Sequence, residues 1–272
     1  MKRVAGMAVL LLLAGACTAN DTTFYAPALV TCADNTLAAP PTVRFASYNV
    51  KSGLHTSLEE VATELESIRP DVVALQEVDV GVDRTHRVDE AQFFAERLGL
   101  QALFAAAIER GGGAYGVAML TRFPVQAARR VELRAFGSYE PRVAIDAELC
   151  LAKTPLHFVA VHADFLNPGA NAETLARHIQ GYVGKGLVVA GDLNATPSEE
   201  APRKLTGKGL FDLFLTAERP TFWPSQTRLD YVFVDAPLAA QLIEAKVGEV
   251  KASDHFPIWV DVRVPSGLSP GP

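Results

Sequence analysis

Short apolar runs, each ending in polar residues, recur along the chain. Some alternate between apolar and polar positions, as half-buried strands do, and others are continuously apolar over the length of a buried strand. The pattern predicts strands over residues 43–50, 72–78, 114–120, 143–149, 156–162, 187–192, 231–234 and 258–264. With this many strands, we expect β-sheets to form most of the core.

Three segments between these strands carry apolar residues at helical spacing instead. Residues 56–65 begin with two cap-forming residues, and their apolar side chains then recur three or four positions apart. Residues 88–98 and 170–183 repeat this spacing. Strands outnumber helices, and several successive strands have no helix between them. The order therefore favours antiparallel or mixed sheets with helices on the outside.

The most distinctive polar residues lie where the strand over 187–192 ends. Asp192 and Asn194 are two positions apart, and side chains at that spacing share a face of an extended backbone. Together they could supply a base or metal ligand and a neutral hydrogen-bond donor. Gly, Asp, Asn and Pro are also turn residues, so a plain turn at the strand end explains this segment equally well.

Similar polar groups end other predicted strands. Asn49, Glu77 and His162 each close an apolar run, and Asp230 and His255 lie in two polar segments near the C-terminus. A single polar residue at a strand end is more often structural than catalytic. Their repetition instead favours a site assembled where several strands end.

The ordered motifs resemble those of the endonuclease/exonuclease/phosphatase superfamily, which includes deoxyribonuclease I. They are Ser-Tyr-Asn-Val at 47–50, Leu-Gln-Glu-Val at 75–78, Tyr-Gly-Val-Ala-Met-Leu-Thr-Arg-Phe-Pro at 115–124, Val-His-Ala-Asp at 161–164, Gly-Asp-Leu-Asn at 191–194, Arg-Leu-Asp-Tyr-Val-Phe at 228–233 and Ser-Asp-His-Phe-Pro at 253–257. The resemblance implies an α+β fold of two packed mixed β-sheets flanked by helices. Such a four-layer α/β/β/α sandwich would carry the site in a cleft at one edge.

The resemblance also implies a cofactor and its ligands. Glu77 would be the main ligand of Mg²⁺ or Mn²⁺, helped by Asn49, because hard carboxylate oxygens suit these ions. Asp254 would be a further or an indirect metal ligand. Asp192 would orient the attacking water and help to deprotonate it, and Asn194 would donate to a phosphoryl oxygen as charge develops there.

The remaining roles concern proton transfer and phosphate binding. His255 would be held by Asp230, and either His255 or Asp192 takes the proton of the attacking water. His162 would contact the phosphate and protonate the leaving group, although a histidine bonded in the core is the alternative. Arg142 would bind the phosphate, or would instead form a surface salt bridge.

The loop over residues 82–89 holds several basic side chains after Glu77. It either reaches a second phosphate or an anionic head group, or is the solvated start of a helix, and the second interpretation is slightly favoured.

The N-terminus predicts export. A positive start and a short apolar stretch lead to Cys17, typical of a signal peptide over residues 1–16. The segment resembles a bacterial lipobox, which implies membrane anchoring through lipidated Cys17. Ala14 departs from that pattern, and an ordinary cleavage site with a periplasmic or secreted product fits as well.

Three further segments follow the signal. We predict a tether over residues 17–41, the catalytic domain over 42–264 and a disordered tail over 265–272. If Cys17 carries lipid, Cys32 and Cys150 remain, and they either pair as a disulfide or stay separate thiols.

The net charge of the protein favours some substrate classes over others. The formal net charge of −6 gives no general attraction to polyphosphate chains, which counts against a non-specific nuclease. We therefore expect a metal-dependent phosphoesterase that hydrolyses a phosphodiester or phosphomonoester by direct water attack. A phospholipid-like or small phosphodiester substrate is weakly favoured, with an extracellular or periplasmic nuclease as the alternative. A catalytically inactive surface binding module is disfavoured, because all the candidate groups are present.

Overall fold

The computed structural model describes residues 23–35, 40, 42–133, 140–214, 219–249 and 251–263. The strands of this part are β1 Phe24–Tyr25, β2 Thr42–Asn49, β3 Val72–Val80, β4 Gln101–Arg110, β5 Gly113–Thr121, β6 Val125–Leu133, β7 Arg142–Leu151, β8 Thr154–His162, β9 Leu187–Asp192, β10 Leu210–Asp212, β11 Asp230–Asp235, β12 Leu242–Val247 and β13 Ile258–Arg263. The helices are α1 Leu58–Ile68, α2 Glu90–Leu98, α3 Pro168–Ile179, α4 Glu200–Thr206 and α5 Ala236–Ala239.

Within these ranges the strands form two sheets. One has seven strands in the order β1-β4-β5-β3-β2-β13-β12, and the other has six in the order β10-β11-β9-β8-β7-β6. The pairs β2/β3 and β8/β9 are parallel, whereas their other neighbours are antiparallel. The predicted α+β fold with two mixed sheets is confirmed.

Three apolar clusters hold the layers together. The first lies between the sheets and draws side chains from both of them. The second packs α1 and α2 on the outer face of the seven-stranded sheet, and the third packs α3 and α4 on the outer face of the six-stranded sheet. Strands buried on both faces explain why several runs are continuously apolar.

The helix boundaries follow local chemistry. Helix α1 begins at Leu58 because the Ser57 side chain accepts a hydrogen bond from the backbone N–H of Glu60, as an N-cap residue does. It ends at Ile68, before Arg69 in the left-handed conformation. Among the described residues no helix is both long and apolar enough to cross a bilayer.

The tether predicted over residues 17–41 is wrong for residues 23–35. Strand β1 pairs with β4 at one edge of the seven-stranded sheet. Cys32 forms a disulfide with Cys150, which decides between the two alternatives for these cysteines. Segment 23–35 therefore belongs to the domain. The signal, Cys17, the rest of the tether except residue 40, and the tail over 265–272 lie outside the described residues.

Glu90, the first residue of α2, is fully buried, at 0% exposure. Its Oε2 accepts a hydrogen bond of 2.9 Å from the backbone N–H of Asp79. Burial raises the pKa of Glu90 from 4.5 to about 8. The stability that depends on protonated Glu90 is thus fully present below about pH 4.5 and is lost as the pH rises through about 8.

Replacing Glu90 with glutamine should remove this pH dependence, because glutamine keeps the acceptor for Asp79 and cannot ionise. The unfolding free energy of E90Q minus that of the wild type should increase by on the order of 2–4 kcal/mol from about pH 5 to about pH 9. Urea unfolding of both proteins at the two pH values measures the difference. An equal difference at both pH values would contradict a raised pKa.

Candidate active site

The predicted site residues come from different strands that end at one edge of the sandwich. The parallel pairing of β8 with β9 sets His162 directly beside Asp192 in register. The two strands approach closely at Gly191, where an added Cβ would lie 1.9 Å from the carbonyl oxygen of Val161. Glycine before Asp192 is therefore required for this approach, and not only for a turn.

Asp192 lies at the centre of the site and is only 1% exposed. Its Oδ1 accepts a hydrogen bond of 2.7 Å from the backbone N–H of Asn194. Its Oδ2 accepts one of 3.1 Å from the side-chain amide of Asn49. The Nε2 atoms of His162 and His255 each lie 3.7 Å from the same Oδ2. The carboxylate is thus held in place while facing two imidazole rings.

Glu77 enters the site through an irregularity of its strand. The register of β3 against β5 shifts between Gln76 and Val78, so Glu77 is an extra residue in a β-bulge with φ of 57°. A bulge re-aims a side chain that regular pleating would direct elsewhere. Glu77 Oε1 accepts a hydrogen bond of 2.9 Å from Asn49 Nδ2.

Asn49 therefore bridges the Glu77 and Asp192 carboxylates through one amide group. Its Oδ1 accepts a hydrogen bond of 3.1 Å from the backbone N–H of Lys51, which fixes the amide so that the nitrogen faces both carboxylates. In this orientation Asn49 positions Glu77, and its oxygen does not face the Glu77 carboxylate.

His255 is paired with Asp230, as the resemblance implies. Its Nδ1 lies 2.8 Å from Asp230 Oδ2, and the ring of Phe222 packs against the imidazole with centroids 4.8 Å apart. Asp230 is held in turn by Thr221, whose Oγ1 accepts a hydrogen bond from the backbone N–H of Asp230. These contacts direct His255 Nε2 towards Asp192.

Charge and burial set the protonation of this group. Burial lowers the pKa of His255, but the carboxylates of Asp230 and Asp192 outweigh burial and raise the pKa above its usual range. Burial and the Asp230 carboxylate raise the pKa of Asp192, against the opposing effect of His255 and the hydrogen bonds from Asn194 and Asn49. A protonated His255 beside a basic Asp192 carboxylate is the arrangement that follows.

His162 is buried and differs from His255 in its protonation. Burial lowers the pKa of His162 well below its usual range, and the positive charges of Arg142 and His255 act in the same direction. Arg142 Nη1 lies 3.4 Å from His162 Nδ1. A guanidinium and an amide nitrogen can only donate, and a neutral imidazole accepts through one nitrogen, so His162 accepts either from Arg142 or from Asn194 Nδ2, which lies 3.2 Å from its Nε2.

Arg142 and Asn194 flank His162. Arg142 is the first residue of β7, and its guanidinium also forms an ion pair of 2.8 Å with Glu140. It thus lies beside His162 and forms a salt bridge as well. Asn194 has a φ of 48°, and its Nδ2 lies 3.2 Å from His162 Nε2 while donating to the carbonyl of Ala163 at 3.0 Å.

Asp254, predicted to be a further or an indirect metal ligand, pairs with a lysine. Its Oδ2 forms an ion pair with Lys51 Nζ, and Ser253 Oγ lies 3.3 Å from its Oδ1. The positive charge of Lys51 balances the carboxylate. Asp254 is therefore tied to Lys51, next to the backbone group that orients Asn49.

Glu77 fits a divalent cation better than the other acidic groups do. It is half-buried, and among the described residues no hydrogen bond or ion pair involves its second carboxylate oxygen. Asp192, Asp230 and His255 also bring ligand atoms within 4.8 Å of one another. However, the carboxylates and the imidazole of this group already interact with one another through a shared proton. Mg²⁺ also prefers oxygen ligands and water to an imidazole nitrogen.

The loop over residues 82–89 was predicted either to reach a second anionic group or to be a solvated helix start, and the structure matches each prediction only in part. Arg87 is exposed and pairs with exposed Asp83, as a solvated loop predicts. Arg84 instead points inward, donates to both carboxylate oxygens of Asp79 and lies over the ring of Tyr115 at 5.6 Å. The Arg84 side chain makes these contacts while remaining 33% exposed.

Sequence reasoning missed Lys51, Ser52 and Tyr115. Lys51 could have been found from its position two residues after Asn49. Ser52 carried no such signal, because a serine after a strand is ordinary, and Tyr115 was named only within the motif at 115–124, without a role. Tyr115 is 5% exposed and lies below a second guanidinium, that of Arg110, at 4.9 Å.

Known proteins share this fold. A structure described as the endonuclease/exonuclease/phosphatase from Bacteroides vulgatus is 18% identical, with a TM-score of 0.67 over 83% of this chain and 100% of that one. The human Nocturnin catalytic domain with bound sulfate anion is 22% identical, with a TM-score of 0.61 over 81% and 93% of the two chains. D. rerio TDP2, complexed with a single strand DNA product, is 16% identical, with a TM-score of 0.65 over 83% and 100%.

At these identities the structural likeness concerns the fold alone. Among the curated proteins, none matches this chain. The family model described as Endonuclease/Exonuclease/phosphatase family matches residues 46–255, which include all the predicted site residues. The chain therefore belongs to the endonuclease/exonuclease/phosphatase family.

Proposed function

We propose that this protein is a divalent-metal-dependent phosphoesterase that cleaves its substrate by direct attack of water. One observation carries the proposal. Asp192 Oδ2 faces the Nε2 atoms of His162 and His255, each at 3.7 Å, and Asn49 joins the same oxygen to Glu77. A base, two imidazole rings and a candidate metal carboxylate thus share one connected site.

Each side chain has its own role in the proposed reaction. Asp192 accepts the proton of the attacking water, since its raised pKa makes it a stronger base than an ordinary carboxylate. Protonated His255, held by Asp230, stabilises the negative charge that develops on the phosphoryl group. A cation at Glu77 would polarise a phosphoryl oxygen when bound.

The other wall of the site binds the phosphate and serves the leaving group. Arg142 supplies a positive charge beside His162. Neutral His162 would contact an oxygen of the substrate through Nε2. Asn194 offers its amide nitrogen as a donor beside His162 Nε2. These groups act on any phosphate ester and do not by themselves select the alcohol.

A phospholipid-like or small phosphodiester is our preferred substrate class, and a nucleic acid is the alternative. The formal net charge of −6 supports the first, since non-specific grip on a polyanion needs many cations. The single strand DNA product in the TDP2 structure supports the second. An inactive binding module fits less well, because the Asp192, His255 and Asp230 group is intact.

We also propose that the protein is exported and anchored through lipidated Cys17, or released outside the cytoplasm. The Cys32–Cys150 disulfide supports this proposal, since such bonds persist in oxidising compartments. Metabolic labelling with a palmitate analogue tests the anchor, and an unlabelled wild-type protein would contradict it.

Hydrolysis of bis-p-nitrophenyl phosphate and of p-nitrophenyl phosphate tests the proposed activity, with Mg²⁺, Mn²⁺ or EDTA and with His255→Ala as the inactive reference. We expect metal-dependent turnover that the variant loses, and the preferred compound tells diester from monoester chemistry. Turnover that persists in EDTA would refute the metal dependence. Salt titration with a DNA substrate separates the alternatives, because a nuclease that binds several phosphates weakens steeply with salt.

A further inference from the structure

Glu77 has a backbone conformation that non-glycine residues rarely adopt. Its φ of 57° lies in the left-handed region, at the point where β3 bulges away from β5. The conformation aims the carboxylate at the site, so any group that stabilises it also positions the candidate metal ligand. Residues of two separate segments contact the bulge and hold it in place.

One of them is Ser52, in the turn that follows β2. Its hydroxyl lies 2.8 Å from the carbonyl oxygen of Glu77 and donates to it. Ser52 is itself left-handed, with a φ of 50°, and it follows Lys51, which has the same φ. Two successive non-glycine residues in this region indicate a turn held by its surroundings rather than by local preference.

Arg84 fixes the direction of that hydrogen bond. Its Nη2 lies 3.0 Å from Ser52 Oγ. Because a guanidinium can only donate, the Ser52 hydroxyl accepts from it, and its own single proton goes to Glu77. The hydroxyl is therefore a relay with one orientation, from Arg84 to Ser52 to the backbone of Glu77.

Arg84 is anchored at its other side by Asp79. Arg84 Nε lies 2.7 Å from Asp79 Oδ2, and Nη2 lies 2.9 Å from Oδ1. Asp79 is fully buried and stands two residues after Glu77 on the same strand. Its backbone N–H donates to Glu90 of α2. The guanidinium thus ties the strand after the bulge to the turn that holds the bulge.

We propose that Ser52 and Arg84 are positioning residues that hold Glu77 in its metal-binding conformation, an inference that rests on the proposed function. The two residues act through the Glu77 carbonyl and do not touch the metal or the substrate. An ion pair that served only to neutralise Asp79 would not need the bond to Ser52. Arg84 supplies both, through adjacent nitrogens of one rigid fork.

Binding of Mn²⁺ alone to the full chain tests this, followed by electron paramagnetic resonance and calorimetry so that no turnover is required. Ser52→Ala removes the relay without exposing a buried charge. Arg84→Lys keeps a positive charge beside Asp79 but cannot reproduce the fork. Each variant should bind Mn²⁺ about ten-fold more weakly, the scale typical of indirect partners of metal ligands. Arg87→Met, in the same loop and exposed, is the matched control and should bind like the wild type.

The double variant gives the sharper result. If both residues act through one relay, Ser52→Ala with Arg84→Lys should bind Mn²⁺ no more weakly than the weaker single variant. In activity assays the half-saturating Mg²⁺ concentration should rise by the same factor, while kcat at saturating Mg²⁺ stays within about two-fold of the wild type.

Wild-type affinity in both single variants would overturn the positioning role. Multiplied losses in the double variant, or a fall in kcat that excess Mg²⁺ does not restore, would also overturn it. A wild-type protein that binds no Mn²⁺ would refute the proposed function itself, which distinguishes the two failures. Thermal unfolding of each variant confirms that the compared proteins are folded.

Discussion

Replacing Asp192 with asparagine should lower kcat by about 10³-fold at saturating metal, the range expected when a general base is lost. Asparagine keeps an oxygen for the backbone N–H of Asn194 but cannot accept the proton of the water. It also removes one of the carboxylates that raise the pKa of His255. The measurement is kcat for the preferred p-nitrophenyl ester across the pH range.

The pH profile of the wild type should have two limbs. Asp192 must be deprotonated, so activity is lost as the pH falls through its pKa, which is raised above the usual range of a carboxyl group. His255 must be protonated, so activity is lost as the pH rises through its raised pKa. Asp230→Asn removes a carboxylate that raises the pKa of both groups and should therefore move both limbs to lower pH.

A matched control for Asp192 is Asp83→Asn, which changes an exposed aspartate whose recorded partner is Arg87. It should leave kcat and both limbs unchanged. If His255 were the base instead, its deprotonation would define the acid limb, and Asp230→Asn would move that limb to lower pH. An unchanged alkaline limb together with a shifted acid limb would therefore reverse the roles of Asp192 and His255.

Replacing Glu77 with glutamine should lower turnover by about 10³-fold or more at a fixed low Mg²⁺ concentration. The amide can still accept from Asn49, but it removes the charge that attracts a divalent cation. Without the cation, the stabilisation of phosphoryl charge, worth several kcal/mol, is lost. Turnover against Mg²⁺ and Mn²⁺ concentration measures the effect, and high metal should restore part of it.

The control for Glu77 is Glu109→Gln, which changes an exposed glutamate near the end of β4. It removes the same charge from the protein outside the site, so the metal dependence of turnover should not change. If Glu77→Gln kept wild-type activity at low Mg²⁺, the metal would have another ligand. The group of Asp192, Asp230 and His255 would then be the next candidate.

Prediction succeeded for several strands with both faces buried, although it missed β4, which is buried over residues 102–106. Strand β9 is buried along its full length and has the predicted bounds, because a continuously apolar run has few other conformations that remove it from water. Strand β12 was missed because it lies at a sheet edge and is half-exposed, so hydropathy barely alternates along it. Strand β6, also at an edge, carries successive charges such as Arg129 and Arg130 for the same reason.

The short strand β1 shows another limit. Two residues within a polar segment are too few to show the periodicity of a strand. Phe24 and Tyr25 form a strand because they pair with the edge of β4. Cys32 is likewise ambiguous in sequence. Its pairing with Cys150 depends on a sequence separation of 118 residues being closed by the fold.

The sequence by itself determined which polar residues are candidates for the site and which predicted strands they follow. The polar groups at strand ends, in their order, are a local property of each segment, so Asp192, His255 and Glu77 could be named before any contact was known. The α+β class followed from the same patterns, because buried and half-buried runs have distinct periods.

Only the tertiary structure decided how these groups act on one another. Our proposal that Asp192 is the proton acceptor rests on its burial and on its distances from Asp230 and His255, since pKa shifts depend on burial and on charges brought close by folding. The ion pair of Asp254 with Lys51 and the left-handed bulge at Glu77 depend on contacts between separate strands and loops. Such contacts join residues that are far apart in the sequence, so the pattern of hydropathy along the chain does not predict them.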